Sequence, residues 1–91
     1  MPPAPPPAYA ALTAYLASRP ADVVRVIVPF PELERLLGAP LPRGVYRYDW
    51  WSERATRPHA MSWRAAGWRV AHLALRVDPP AVTFARRDSA P

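Results

Sequence analysis

Interleaved helical and strand periodicities along these 91 residues predict an α+β fold of three to four helices with a three-stranded antiparallel sheet. Apolar residues recur at helical spacing within 9–18, 31–37 and 59–67, while β-branched or alternating runs occupy 23–28, 68–77 and 82–86. Between the last two runs lies Asp78–Ala81 (DPPA), a turn, because a ladder does not tolerate paired prolines. The final two strands are therefore expected to form a C-terminal β-hairpin.

The chain opens on PPAPPP, residues 2–7, a composition that favours extended, solvated backbone. Residues 1–8 are expected to be a disordered arm, 9–87 a single domain and 88–91 a frayed tail. In Tyr9–Ser18 the spacing of Leu12, Tyr15 and Leu16 sets one helical face, extended by Ala8 and Ala11, and Pro20 ends the helix. Val23–Val28 reads as a strand with Val24, Val26 and Val28 on one face and Arg25 and Ile27 on the other. The next helix, Pro31–Leu37, takes its proline early, where the missing N–H costs nothing, and its Glu32 and Glu34 near the positive end of the dipole. Leu33, Leu36 and Leu37 form its apolar stripe, Gly38 is its left-handed stop, and Leu41 is expected to plug the core from the APLP connector.

A third helix is expected over Gly44–Ser52. At 100° per residue Arg43, Arg47 and Arg54 would lie within about 40° of one another, with Trp50 and Trp51 on either side of that stripe. Trp51 with Tyr48 is expected to be buried and Trp50 with Tyr46 to border the arginines, with the reverse assignment open. Glu53–Pro58 reads as a polar loop and His59–Gly67 as a fourth helix presenting Ala60, Trp63 and Gly67 on one side. Along Trp68–Val77 the apolar parity slips, from Trp68 and Val70 to Leu73, Leu75 and Val77. A bulge near Ala71–His72 would bring both sets inward. Val82 and Phe84 face the core from the closing strand.

Helix, strand, helix, helical segments and hairpin is the order of a winged-helix-like domain, with one additional short helix. There the helix before the hairpin enters the major groove. The chain also resembles a family of short, uncharacterised bacterial and phage domains. The residues that carry the resemblance are Leu12, Tyr15 and Leu16, then Phe30–Gly38 (FPELERLLG), Leu41–Pro42 and Trp50–Trp51. Trp63–Trp68 (WRAAGW), Val82–Phe84 and Arg86 complete it, while the family pattern has Asn where this chain has Glu53. The resemblance implies the domain boundaries and no activity.

Charge is placed unevenly. Residues 1–42 balance Arg19, Arg25 and Arg35 against Asp22, Glu32 and Glu34. Residues 43–69 set Arg43, Arg47, Arg54, Arg57, Arg64 and Arg69 against only Asp49 and Glu53. Arginine in place of lysine throughout also fits a high-GC codon bias, but codon bias would not concentrate it in the segment that holds all four tryptophans. A basic, aromatic surface suits an anionic partner, nucleic acid first. The residues expected to contact it are Arg43, Arg47, Trp50, Arg54, Arg57, His59 and Arg64. Duplex DNA is the leading partner, bound by a regulator that could work as a homodimer; the alternative is a protein–protein module, a phage- or defence-associated adaptor, docking through the Trp50/Trp51 face.

Other chemistries find little support. Absence of cysteine removes disulfides, thiolate metal sites and cysteine nucleophiles. His59 and His72 lie far apart in sequence without carboxylates at ligand spacing. Asp49 and Glu53 sit among arginines at ion-pair spacing. Ser52, Thr56 and Ser62 have no triad partners, and no Gly-rich phosphate loop exists. The expectation is a non-enzyme without cofactor or metal. No run approaches the length of a membrane span, so a cytoplasmic protein with no membrane partner is expected.

Overall fold

The computed structural model describes residues 7–52 and 58–87. Three α-helices and a three-stranded antiparallel sheet make up the α+β fold: α1 (Pro7–Ala17), β1 (Arg25–Pro29), α2 (Phe30–Leu37), α3 (Pro58–Ala65), β2 (Trp68–Ala74) and β3 (Ala81–Arg86). Two 3-10 helical turns, Arg43–Tyr46 and Tyr48–Trp51, join α2 to the segment before α3. The strand order is β1-β3-β2, which places the last strand in the centre, hydrogen-bonded to both others. No helix among the described residues is long and apolar enough to cross a membrane.

Local chemistry accounts for most boundaries. Helix α1 buries Leu12 and Leu16, one turn apart, and starts at Pro7, two residues before the expected position. Its end is held by the Arg19 Nε–H, which donates to the Tyr15 carbonyl at 3.1 Å while the guanidinium lies over the Tyr15 ring. The chain passes from β1 into α2 without a loop, Pro29 ending one and capping the other. At the far end of α2, Gly38 adopts φ 72°, open to glycine at no steric cost, and its N–H closes on the Glu34 carbonyl at 2.8 Å. The Glu34 carboxylate then accepts the Leu41 N–H at 3.0 Å and turns the connector, so that Leu41 packs against the core. Glu32 and Arg35 form an exposed ion pair worth little.

The sheet register carries the bulge expected from the parity slip. Val70 opposes Phe84 and His72 opposes Thr83, so Ala71 is the extra residue. Val82, Phe84, Trp68 and Leu73 all reach the core as a result. Two expectations at strand ends need correction. Val24 lies before β1 and is exposed, its carbonyl accepting the Arg86 N–H at 3.0 Å rather than joining a longer ladder. Val77 is exposed in the connection between β2 and β3, because β2 ends at Ala74.

The larger correction concerns 44–52, which is not an α-helix. Its hydrogen bonds run to the third residue back, Val45 N–H to Pro42, Arg47 to Gly44, Trp50 to Arg47 and Ser52 to Asp49. Between the two turns Arg47 is extended, at φ −113° and ψ 135°. The angular stripe calculated for a continuous helix therefore does not exist. What the break achieves is the placement of Trp51, which stacks between Phe30 (5.9 Å) and Trp63 (5.6 Å) with Phe84 edge-on at 6.4 Å. Its indole N–H donates to the buried Val45 carbonyl at 2.9 Å. Tyr48, expected beside it in the core, is 64% exposed.

Arg86 fixes the opposite side. Its guanidinium donates to the carbonyls of Val23 (2.8 Å), Pro20 (2.8 Å) and Arg19 (3.2 Å) and lies over the Trp68 ring at 4.6 Å. One planar fork thus satisfies three carbonyls of the α1–β1 loop. Arg86→Ala is expected to cost about 2–4 kcal/mol, since bonds to a charged donor are lost and the part-buried Val23 and Arg19 carbonyls lose that partner. Arg86→Lys should recover little of it, lacking the fork. In thermal denaturation this corresponds to a Tm fall of roughly 10 °C or more. Trp51→Ala is expected to cost about 3–5 kcal/mol, enough to abolish the cooperative transition of so small a domain.

Candidate functional site

The expected contact residues that are described do not form one outward cluster. Arg54 and Arg57 lie outside the described residues. Arg43 and Arg47 are exposed, the first opening the first 3-10 turn and the second at the break between turns. Neither makes an ion pair among the described residues, where the one ion pair is Glu32–Arg35. Tyr46 (60% exposed) and Tyr48 (64%) stand beside them, with Asp49 exposed as the local acid. The inward side of the same segment is Val45 and Trp51. Tertiary demand on those two residues, rather than helix amphipathicity, turns the arginines and tyrosines to solvent.

Trp50 and His59 are brought together. Their rings are parallel, 1° apart in orientation and 3.7 Å between centroids, and a His59 ring nitrogen sits 2.8 Å from the Trp50 carbonyl oxygen. That short polar contact is a hydrogen bond when the ring nitrogen carries its proton. His59 is only 5% exposed and is a core residue, not a contact residue on the surface. Tyr9 closes on the pair from α1, 6.5 Å from Trp50 and 6.0 Å from His59, and burial pushes its phenol above the ordinary value. Neutral tyrosine is thus favoured in the fold, a contribution lost as pH rises through that raised value. Trp50 itself remains half-buried, with one side on His59 and its edge against Trp51 at 4.6 Å. Trp51 lies in the interior, so the two tryptophans do not share an exposed face.

Helix α3 presents less than its expected role requires. His59, Ala60, Ser62 and Trp63 are buried, Arg64 is half-buried, and Met61 and Ala65 are the exposed side chains between His59 and Ala65. Its inner side is tied to α1 by the Thr13 hydroxyl, which donates to the Ser62 carbonyl at 2.8 Å.

One determinant escaped the sequence pattern. A Cβ built on Gly44 would meet Trp50 Cδ1 at 2.5 Å and Nε1 at 3.1 Å. Gly44 is therefore the floor on which the indole rests, and its closeness to a tryptophan six residues on is legible only once the 3-10 turns are known. The indole cannot retreat, because His59 and Trp51 hold its other sides. Gly44→Ala is expected to cost about 1–3 kcal/mol through overpacking and to displace Trp50 toward water. The measurement is a lowered Tm together with a red-shifted tryptophan emission; an unchanged spectrum and Tm would contradict this packing.

No curated protein and no solved structure matches the chain. A family model does, described as a domain of unknown function (DUF7662) and matching residues 9–87. The match takes in α1 from Tyr9 onward and every later strand and helix, and the chain belongs to that family.

Proposed function

We propose that this chain binds nucleic acid, with the Arg43–Trp50 segment as its contact surface. The observation that carries the reading is the exposure of Arg43, Tyr46, Arg47 and Tyr48 on two consecutive 3-10 turns, braced from within by Val45, Trp51 and the Trp50–His59 stack. Guanidinium groups without carboxylate partners suit phosphates, and exposed phenol rings suit stacking on bases. Because the backbone under them is pinned by buried rings, little ordering remains to be done on binding.

The winged-helix-like order of elements speaks for duplex DNA, and the strand order β1-β3-β2 is compatible with it. Against base reading by α3 stands its outer side, where Met61 and Ala65 offer no polar group to a base edge. Phosphate contacts by arginine and base stacking by tyrosine are indifferent to sequence, and stacking needs unpaired bases, so a single strand suits the surface better than a specific duplex site. The protein-docking alternative loses Trp51 as a contact and keeps, on that segment, half-buried Trp50 with Tyr46 and Tyr48.

Fluorescence anisotropy with labelled single-stranded and duplex oligonucleotides across a salt series tests the reading. Wild type should bind the single strand more tightly, with affinity falling steeply as salt rises. Arg43→Ala/Arg47→Ala should lower the slope of log K against log salt by about 1.4, at roughly 0.7 per phosphate contact on a single strand. Lack of binding to either oligonucleotide at low salt sinks the proposal.

A further inference from the structure

The outward face of the sheet carries a second basic site. Phe84 and Val82 point to the core, with Phe84 against Trp51 and Trp63, so Thr83 and Ala85 point the other way. In register with Ala85 are Arg25 of β1 on one side and Arg69 of β2 on the other. The next outward row is Ile27, Thr83 and His72. Ile27 is 69% exposed, which shows that this face is open there. Two arginines thus flank a methyl side chain, their Cα atoms about 10 Å apart across two strand spacings.

Ala85 is fully buried although it faces away from the helices, and the side chains beside it in the ladder are Arg25 and Arg69, whose aliphatic stems are long enough to lie over it. Stems that lie over Ala85 bring the two guanidiniums toward the same strip of surface. Neither forms an ion pair among the described residues, and the three strands, RVIVP, WRVAHLA and AVTFAR, contain no acid. Asp22, the nearest acid in sequence to Arg25, makes no ion pair with it. With the Thr83 hydroxyl and the His72 imidazole in the adjoining row, the face offers donors for phosphate oxygens and, within its three strands, no carboxylate to repel them. A second copy of the same face is an unsuitable occupant, since four like charges would meet.

We infer that Arg25 and Arg69, astride Ala85, form a phosphate-binding row that takes the backbone of a nucleic-acid strand, separate from the Arg43–Trp50 surface. The inference rests on the proposed reading that the partner is nucleic acid. It adds a contact surface on the face of the sheet turned away from Trp51.

The test compares wild type, Arg43→Ala/Arg47→Ala and Arg25→Gln/Arg69→Gln for binding a labelled oligothymidylate over a salt series, with circular dichroism as the check on folding. Glutamine keeps much of the stem over Ala85 and removes the charge. The sheet variant should bind more weakly at low salt, its log–log slope reduced by about 1.4. An unchanged slope in the sheet variant, with a reduced one in the Arg43/Arg47 variant, overturns this row and leaves the proposed surface standing. The converse pattern supports the row and removes that surface. No binding by wild type overturns both.

Discussion

Trp51 has to meet four demands at once, and the shape of the central segment follows from them. Its ring lies between Phe30 and Trp63, Phe84 meets it edge-on, and its N–H finds an acceptor, which the buried N–H groups of Trp63 and Trp68 do not among the described residues. An unpaired buried indole N–H costs free energy comparable to a lost hydrogen bond, and the Val45 carbonyl, six residues earlier, removes that cost. In an ideal α-helix that carbonyl would instead be taken by a backbone N–H four residues on. Two short turns with an extended Arg47 between them free it. The solvent side of the segment, with its two arginines and two tyrosines, is a by-product of what the inner side requires.

Arginine plays two unlike parts in this molecule, and composition alone does not separate them. Arg86 and Arg19 are structural, each closing backbone carbonyls while covering an aromatic ring. Arg43, Arg47, Arg25 and Arg69 make no ion pair among the described residues. The net charge of +5 is thus a mixture of internal fastening and outward field, and only position distinguishes the two.

Much of the fold was legible because the relevant interactions are local. Leu12 and Leu16, the Gly38 stop, the paired prolines and the parity slip at Ala71 each announce their structure within a few residues. What failed to show are pairings between distant positions. His59 reads as a polar helix-start residue until Trp50 is placed flat against it. The 44–52 segment has apolar spacing compatible with a helix, and only the demands on Trp51 decide against one. Arg86 ends a strand without local distinction, yet its acceptors lie in a loop more than sixty residues earlier. Of the expected contact residues, Arg43 and Arg47 are exposed as their charge suggests though not through the helical spacing, whereas His59 is turned inward.

The central position of β3 has a consequence for how the molecule is made. β1 and β2 do not pair with each other; each finds its partner in residues 81–86, the last of the three strands in chain order. A nascent chain lacking that stretch holds two orphan strands, and the aromatic interior lacks its Phe84 floor. Pairing of the sheet therefore waits on residues 81–86, and loss of those six residues would unpair both other strands.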